Sequence, residues 1–260
     1  MNKVLIACPT SKRHDYCIEK WIKQFEKQTF QNFEILIVDT TPVGDNTFYV
    51  HLKTFETERI KVLRFPFDLE NVKILTLMAQ VREFIRQEFL KGDYTHLFFI
   101  DSDIFIPNCG INKLLETQKN CIGFLVHIGY PKKFPCVFKS GEVLIGKGLD
   151  LYSWKEIKEV KKTYKDKIFP CYATGLGCLL IERQVLEKVP FRFCPYYDNG
   201  EDLWFFAEAN EKGFTFYCYL TRVKHLNTSW GAIGILQKYK QNLYFCIGPA
   251  DAKEAEIIYR

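Results

Sequence analysis

The stretch FFIDSDIF, residues 98–105, decides how the rest of this chain is read. Leu97, Phe98, Phe99 and Ile100 run straight into Asp101-Ser102-Asp103, and residues of strand character resume at once. A carboxylate buried alone costs on the order of several kcal/mol, so something must pair with it. Two carboxylates one residue apart at a strand end can share a divalent cation, since Mg²⁺ and Mn²⁺ prefer oxygen ligands. An ion held this way bridges diphosphate oxygens and stabilises charge on a leaving phosphate. A D-x-D string is short, and a surface turn with two solvated aspartates is its other reading. The apolar run in front of it favours a site.

Outward from this strand, short apolar runs alternate with helical patterns. Residues 4–8 read as a buried strand ending in Pro9-Thr10, 33–41 as a second ending at Asp39, and 60–65 as a third. Cys17, Ile18, Trp21, Ile22 and Phe25 predict a helix over 15–28. The longest helix runs from an N-cap at Asn71 to about Lys91, stopped by Gly92, with Arg82 and Arg86 beside its apolar stripe. A helix over 111–119 and a strand over 121–127 follow. This rhythm of apolar strands and helices predicts an α/β fold, a mostly parallel central sheet with helices on both faces. In such sheets ligands bind beyond the carboxyl ends of the strands, where Thr10, Asp39, Asp101 and Asp103 all fall.

The rhythm breaks over residues 131–169, which carry a hairpin around Ser140-Gly141 and a charged helix over 153–165. They read as an insertion over the sheet edge. Strand and helix resume over 174–191, a helix with an acidic start covers 199–214, and a strand over 215–226 ends at His225. From 227 onward there is no clear pattern. With no repeat and no low-complexity linker, the expectation is a single domain over 1–260.

The 260 residues are 47% hydrophobic and 16% aromatic, ample for a packed core. The net charge of +5 is mild, and the Lys and Arg residues are scattered. That argues against nucleic acid as a partner, which calls for a basic stripe. None of the ten cysteines forms a CxxC pair, and several lie in apolar runs. Buried reduced thiols, and a reducing compartment, are the expectation. The opening apolar run is too short for a signal peptide, and no stretch reaches the roughly 20 apolar residues of a membrane span. A cytoplasmic location with at most peripheral membrane contact follows as an expectation.

Four further features carry chemistry. Glu201-Asp202 opens a helix before Leu203-Trp204-Phe205-Phe206. Acidic residues there complement the helix dipole. A carboxylate beside aromatic rings can also serve as a general base. His225 is either a structural histidine or a ligand completing a carboxylate-bound Mn²⁺. Gly175-x-Gly177 permits close backbone approach to a ligand, or only a tight strand entry. Arg82 could meet a diphosphate bidentately. Phosphohydrolases of the haloacid dehalogenase type also place D-x-D after an apolar strand. There it opens the first strand rather than the fourth, and a Thr or Val stands where this chain has Phe105.

The order of these features, from Pro-Thr through a strand-end Asp, a helix Arg, D-x-D and a Gly-rich strand to Glu-Asp and a late His, resembles the GT-A-type glycosyltransferases, most like family 2, over roughly residues 3–230. The resemblance implies the Rossmann-like GT-A fold, with a nucleotide-sugar half over about 1–105, an acceptor half over about 106–230 and a tail over 231–260. Pro9 and Thr10 would border the nucleoside and Asp39 would bond the base. Arg82, Asp101, Ser102 and Gly175 would line the donor. Asp103, with Asp101 and His225, would hold Mn²⁺ or Mg²⁺. Asp202, with Glu201, would match the base that activates the acceptor in inverting members. The implied activity is that of a metal-dependent hexosyltransferase using a UDP-sugar, with a glycan, lipid-linked or protein acceptor left open. The family's Arg/Asn-rich helix motif is reduced to Gln80-Val81-Arg82. Its Gln-x-x-Arg-Trp motif is missing, the closest string being Asn227-Thr228-Ser229-Trp230, so processive polymer synthesis is not expected. Retaining transferases, a haloacid-dehalogenase-like phosphohydrolase and a non-catalytic nucleotide- or glycan-binding module are the alternatives. A sugar-1-phosphate nucleotidyltransferase would need a Gly-rich loop after the first strand, and CPTSKRHD has no glycine.

Overall fold

Strands covered on both faces must be apolar on both faces, and β1 (Val4–Thr10) is buried along its whole length. The computed structural model describes residues 1–42, 44–65, 74–128, 133–141, 149–192 and 201–226, and the backbone of 233–238 and 241–246. The expected N-cap Asn71, the string 227–230, and Gly200 lie outside the described residues.

After β1 come α1 (Asp15–Lys23), β2 (Phe33–Asp39), α2 (Thr47–Lys53), β3 (Ile60–Arg64), α3 (Ile74–Lys91) and β4 (His96–Ile100). Next are β5 (Ile104–Phe105), α4 (Gly110–Leu115), β6 (Cys121–Leu125), β7 (His127–Ile128) and β8 (Phe134–Pro135). The expected insertion holds β9 (Val137–Gly141), β10 (Leu149–Leu151) and α5 (Trp154–Thr163). Then follow β11 (Ile168–Cys171), β12 (Ala173–Thr174), β13 (Cys178–Glu182), α6 (Arg183–Lys188), α7 (Glu201–Glu211), β14 (Phe216–Arg222) and β15 (Lys224–His225). A hairpin, β16 (Ile233–Lys238) with β17 (Gln241–Cys246), occupies the tail where the sequence shows no pattern.

Eight strands form the central sheet in the order β11-β14-β6-β13-β4-β1-β2-β3. β1 runs parallel to β2 and β4, β2 to β3, and β6 to β14. β13 inserts antiparallel between β4 and β6, and β11 pairs antiparallel with β14. The mostly parallel sheet is therefore as expected. One core layer joins Leu5, Ala7 and Phe99 to α3, α6 and α7 through Val81, Ile85, Leu186 and Phe205. The other joins Val4, Ile6 and Phe98 to α1, α2 and α4 through Ile18, Trp21, Phe48 and Leu114. Pro9 sits inside a central strand because β4 pairs with β1 only as far as Ala7, so no ladder partner requires its missing N–H.

Several boundaries differ from the sequence reading. The helix expected over 15–28 is α1 flanked by 3₁₀ turns at Lys12–His14 and Gln24–Lys27. α4 ends at Leu115, and Gln118 shortly beyond it adopts φ 53°, which no helix can continue through. The hairpin expected around Ser140 is the antiparallel β9–β10 pair. α5 starts at a capping box in which Ser153 and Glu156 bond each other's backbone N–H.

Candidate functional site

The D-x-D turn hangs between β4 and β5. Asp101 N–H donates to the Gly177 carbonyl at 2.8 Å, and Ile104 N–H donates to the Asp101 carbonyl at 2.9 Å. Ser102 is buried and its hydroxyl accepts from Thr10 at 3.1 Å, tying the turn to the end of β1. Asp103 is 4% exposed and Asp101 is half-buried, so the aspartates are not the solvated pair of a surface turn.

Tertiary structure supplies Asp103 with its partner. β15 pairs antiparallel with β5, setting His225 opposite Ile104, and Leu226 N–H donates to the Asp103 carbonyl at 2.9 Å. His225 Nδ1 lies 2.7 Å from the His127 carbonyl, which can only accept. That fixes the proton on Nδ1 and aims Nε2 at Asp103 Oδ2, 3.1 Å away. Burial pushes the Asp103 carboxyl up, but the His225 hydrogen bond and charge outweigh it and hold it below its ordinary value. Burial pulls His225 down, and Asp103 outweighs it in turn and holds the imidazole above its ordinary value. Asp101 is raised, mainly by burial and further by the charge of Asp103, with Arg82 opposing.

Other expected residues gather at the same rim. Asp39 is fully buried at the end of β2. Its Oδ1 accepts from the Thr41 N–H at 2.8 Å and the Thr41 hydroxyl at 2.6 Å. Its Oδ2 has no hydrogen-bond partner, with Arg64 Nε 3.8 Å away. Arg82 projects from α3 with its guanidinium 5.0 Å over the Phe99 ring. Phe99 meets Phe191 edge-on at 5.6 Å, and Phe191 stacks on Phe205 of α7 at 4.4 Å. This aromatic chain links the Arg82 side of the site to the helix that carries Asp202. Asp202 is partly exposed, and its Oδ1 accepts from Leu203 N–H at 2.8 Å. Glu201 is the first residue of α7.

The Gly-rich strand entry divides its work. A Cβ on Gly177 would fall 2.2 Å from Asp101 Oδ2. A Cβ on Gly175 would fall 2.8 Å from Cys136 Sγ. Gly177 is therefore the glycine that touches the D-x-D carboxylate. Two histidines escaped the sequence reading. The charges of Asp103 and Asp101 reach His14, beyond β1. His127 meets the His225 ring edge-on at 5.5 Å and is 3% exposed, with neither ring nitrogen bonded. His14 lies in the charged string KRHD and His127 at the end of an apolar run, and neither context gives a sequence signal for a site.

Among the described residues no group of three His, Cys, Asp or Glu side chains converges as a closed metal cage. An open site suits Mg²⁺ or Mn²⁺ better, since such ions take one or two carboxylates and fill the other positions with water and substrate phosphate. Asp103 Oδ2 and His225 Nε2 form the converging pair, and metal would displace the proton between them. The donor set fits the ion.

The mostly parallel eight-stranded sheet with helices on both faces is a GT-A-type fold. Many solved structures match the chain, and two of them illustrate the likeness. One, of GalNAc-T7 with UDP, GalNAc and Mn²⁺, matches with a TM-score of 0.59 at 14% identity, covering 86% of this chain and 44% of that one. The other, of S. aureus TarS 1-349, matches with a TM-score of 0.52 at 16% identity, covering 85% of this chain and 59% of that one. No family model matches the chain, and no curated protein matches it significantly. Among the described residues no helix is long and apolar enough to cross a membrane.

Proposed function

We propose that this chain transfers a sugar from a nucleotide-sugar donor, a UDP-sugar, to an acceptor hydroxyl with inversion, as a member of family 2 or a near relative. The observation that carries the reading is the Asp103–His225 pair, assembled from chain segments 122 residues apart at the carboxyl rim of the sheet. A solved neighbour holding UDP, GalNAc and Mn²⁺ supports the donor class and a divalent ion. In this reading Asp103 and His225, with Asp101 beside them, hold Mn²⁺ or Mg²⁺. When bound, the ion supplies positive charge to the departing nucleoside diphosphate. Asp39 accepts a base N–H at its unbonded Oδ2. Pro9, Thr10 and Ser102 border the nucleoside, while Gly175 and Arg82 line the donor. Asp202, with Glu201 next to it, takes the acceptor proton as the hydroxyl attacks the anomeric carbon. The whole chain forms one domain, with the acceptor, of glycan, lipid-linked or protein type, on the side of residues 106–230.

The test is thermal denaturation with UDP, GDP, CDP and ADP, each with Mn²⁺ and with a chelator. A ligand that binds only the native state raises its apparent stability. A Mn²⁺-dependent shift with UDP supports the reading. No shift with any nucleotide refutes it.

A further inference from the structure

The rim beyond His225 carries positive charge without matching carboxylates. β14 ends at Arg222, whose guanidinium lies 5.2 Å over the Trp154 ring. The Trp154 indole N–H donates to the Lys133 carbonyl at 2.7 Å. Trp154 thus ties the start of α5, the end of β14 and the residue before β8 into one corner. His127 belongs to the same corner. Arg222 pairs with Leu125, two residues before His127, and His127 itself pairs with Pro135. The charges of Arg222, His225 and Lys133 all act on the His127 ring, opposed by Asp103. Arg222 and Lys133 are exposed, and among the described residues neither is ion-paired to a carboxylate.

His127 supplies a second, independent observation. Its ring is 3% exposed and both ring nitrogens lack partners. Buried polar groups are bonded as a rule, so an unbonded one calls for a ligand or a cost. An anion meets all three groups. A guanidinium fork grips phosphate oxygens bidentately, an ammonium adds a point charge, and an imidazole N–H donates.

We propose that His127, Lys133 and Arg222 form an anion site adjoining the Asp103–His225 pair, and that it takes a phosphate group of the acceptor. Naming the acceptor rests on the transfer reading above, whereas the anion site itself does not. The corner belongs to the β6–β14 half of the sheet and to the segments around β8 and α5. Asp39 and Thr10 end β2 and β1 on the other half. A donor bound at Asp39 and Asp103 therefore leaves this corner to the second substrate.

The experiment titrates inorganic phosphate into the protein with chelator present, and separately UDP with Mn²⁺. The variants are R222A/K133A, the charge-keeping R222K/K133R, and D103A. Loss of two charge-assisted contacts should weaken phosphate binding about tenfold or more in R222A/K133A. R222K/K133R should retain most of it, and Mn²⁺-dependent UDP binding should be unchanged in both. Phosphate affinity that survives R222A/K133A overturns the site. A parallel loss of UDP affinity overturns the acceptor assignment, because the cations would then serve the donor diphosphate. D103A should lose UDP binding and keep phosphate binding. Wild type that binds phosphate through these residues but not UDP with Mn²⁺ would sink the transfer reading and leave the anion site standing.

Discussion

Replacing Gly177 with Ala puts one methyl group where the D-x-D turn has no room. The new Cβ would lie 2.2 Å from Asp101 Oδ2, 2.9 Å from Asp101 Cγ and 3.3 Å from Ile104 Cδ1. Gly177 is not among the residues with positive φ, so the backbone itself accepts alanine and the whole effect is the contact. To reach van der Waals distance the carboxylate must move by roughly 1 Å, and overpacking of this kind costs about 1–3 kcal/mol. For a chain of this size each kcal/mol lowers Tm by roughly 2–4 °C, so G177A should melt about 2–12 °C below wild type. A displacement of that size at a reacting centre also costs about a hundredfold in rate. Fluorimetry gives the first number, and sugar transfer from a UDP-sugar gives the second. G175A is the internal comparison, because its Cβ meets the Cys136 thiol instead. It should affect stability through that thiol contact and leave the Asp101 carboxylate in place. A G177A protein that melts within about 1 °C of wild type and binds UDP with Mn²⁺ normally would refute the packing argument, because the predicted contact alone exceeds that shift.

D202N should lower turnover roughly 10²–10⁴-fold and leave UDP binding near normal, as expected for loss of a general base. D103A should instead abolish the Mn²⁺-dependent thermal shift, and equal loss of UDP binding in both variants would overturn the division of roles. S153A removes the N-cap of α5 and should cost about 1 kcal/mol, or roughly 2–4 °C in Tm. Burial, helped by the charges of Arg222, His225 and Lys133 and opposed by Asp103, depresses His127 to about 4. Its folded pKa is below the unfolded value, so the unfolded chain binds the proton first and stability falls as pH drops from 6.5 toward 4. His225, shifted upward, works in the opposite direction and is most stabilising below 6.5. In metal-free protein, urea titrations at pH 7 and pH 4.5 should show a smaller loss of stability on acidification for H127N than for wild type. An equal or larger loss would refute the assignment.

The sequence by itself determined the central strands, because a strand covered on both faces is an unbroken apolar run, and residues 4–8 of β1, 35–38 of β2 and 97–100 of β4 are such runs. It also located Asp39, Asp101 and Asp103, since polar residues at the ends of apolar strands mark the sheet's rim. Local rules found the hairpin of β9 and β10 and the helix opened by Ser153. Tertiary structure alone decided the rest. Nothing near His225 in sequence says that it faces Asp103, because that contact needs β15 to pair with β5 across 120 residues of chain. Nor could spacing tell Gly175 from Gly177, since what separates them is which atom lies above each Cα once β13 is inserted beside β4. The His127–Lys133–Arg222 corner is invisible for the same reason. Its members come from three segments joined by strand pairing and one indole hydrogen bond, and charge scattered along a chain becomes a site only when the fold gathers it.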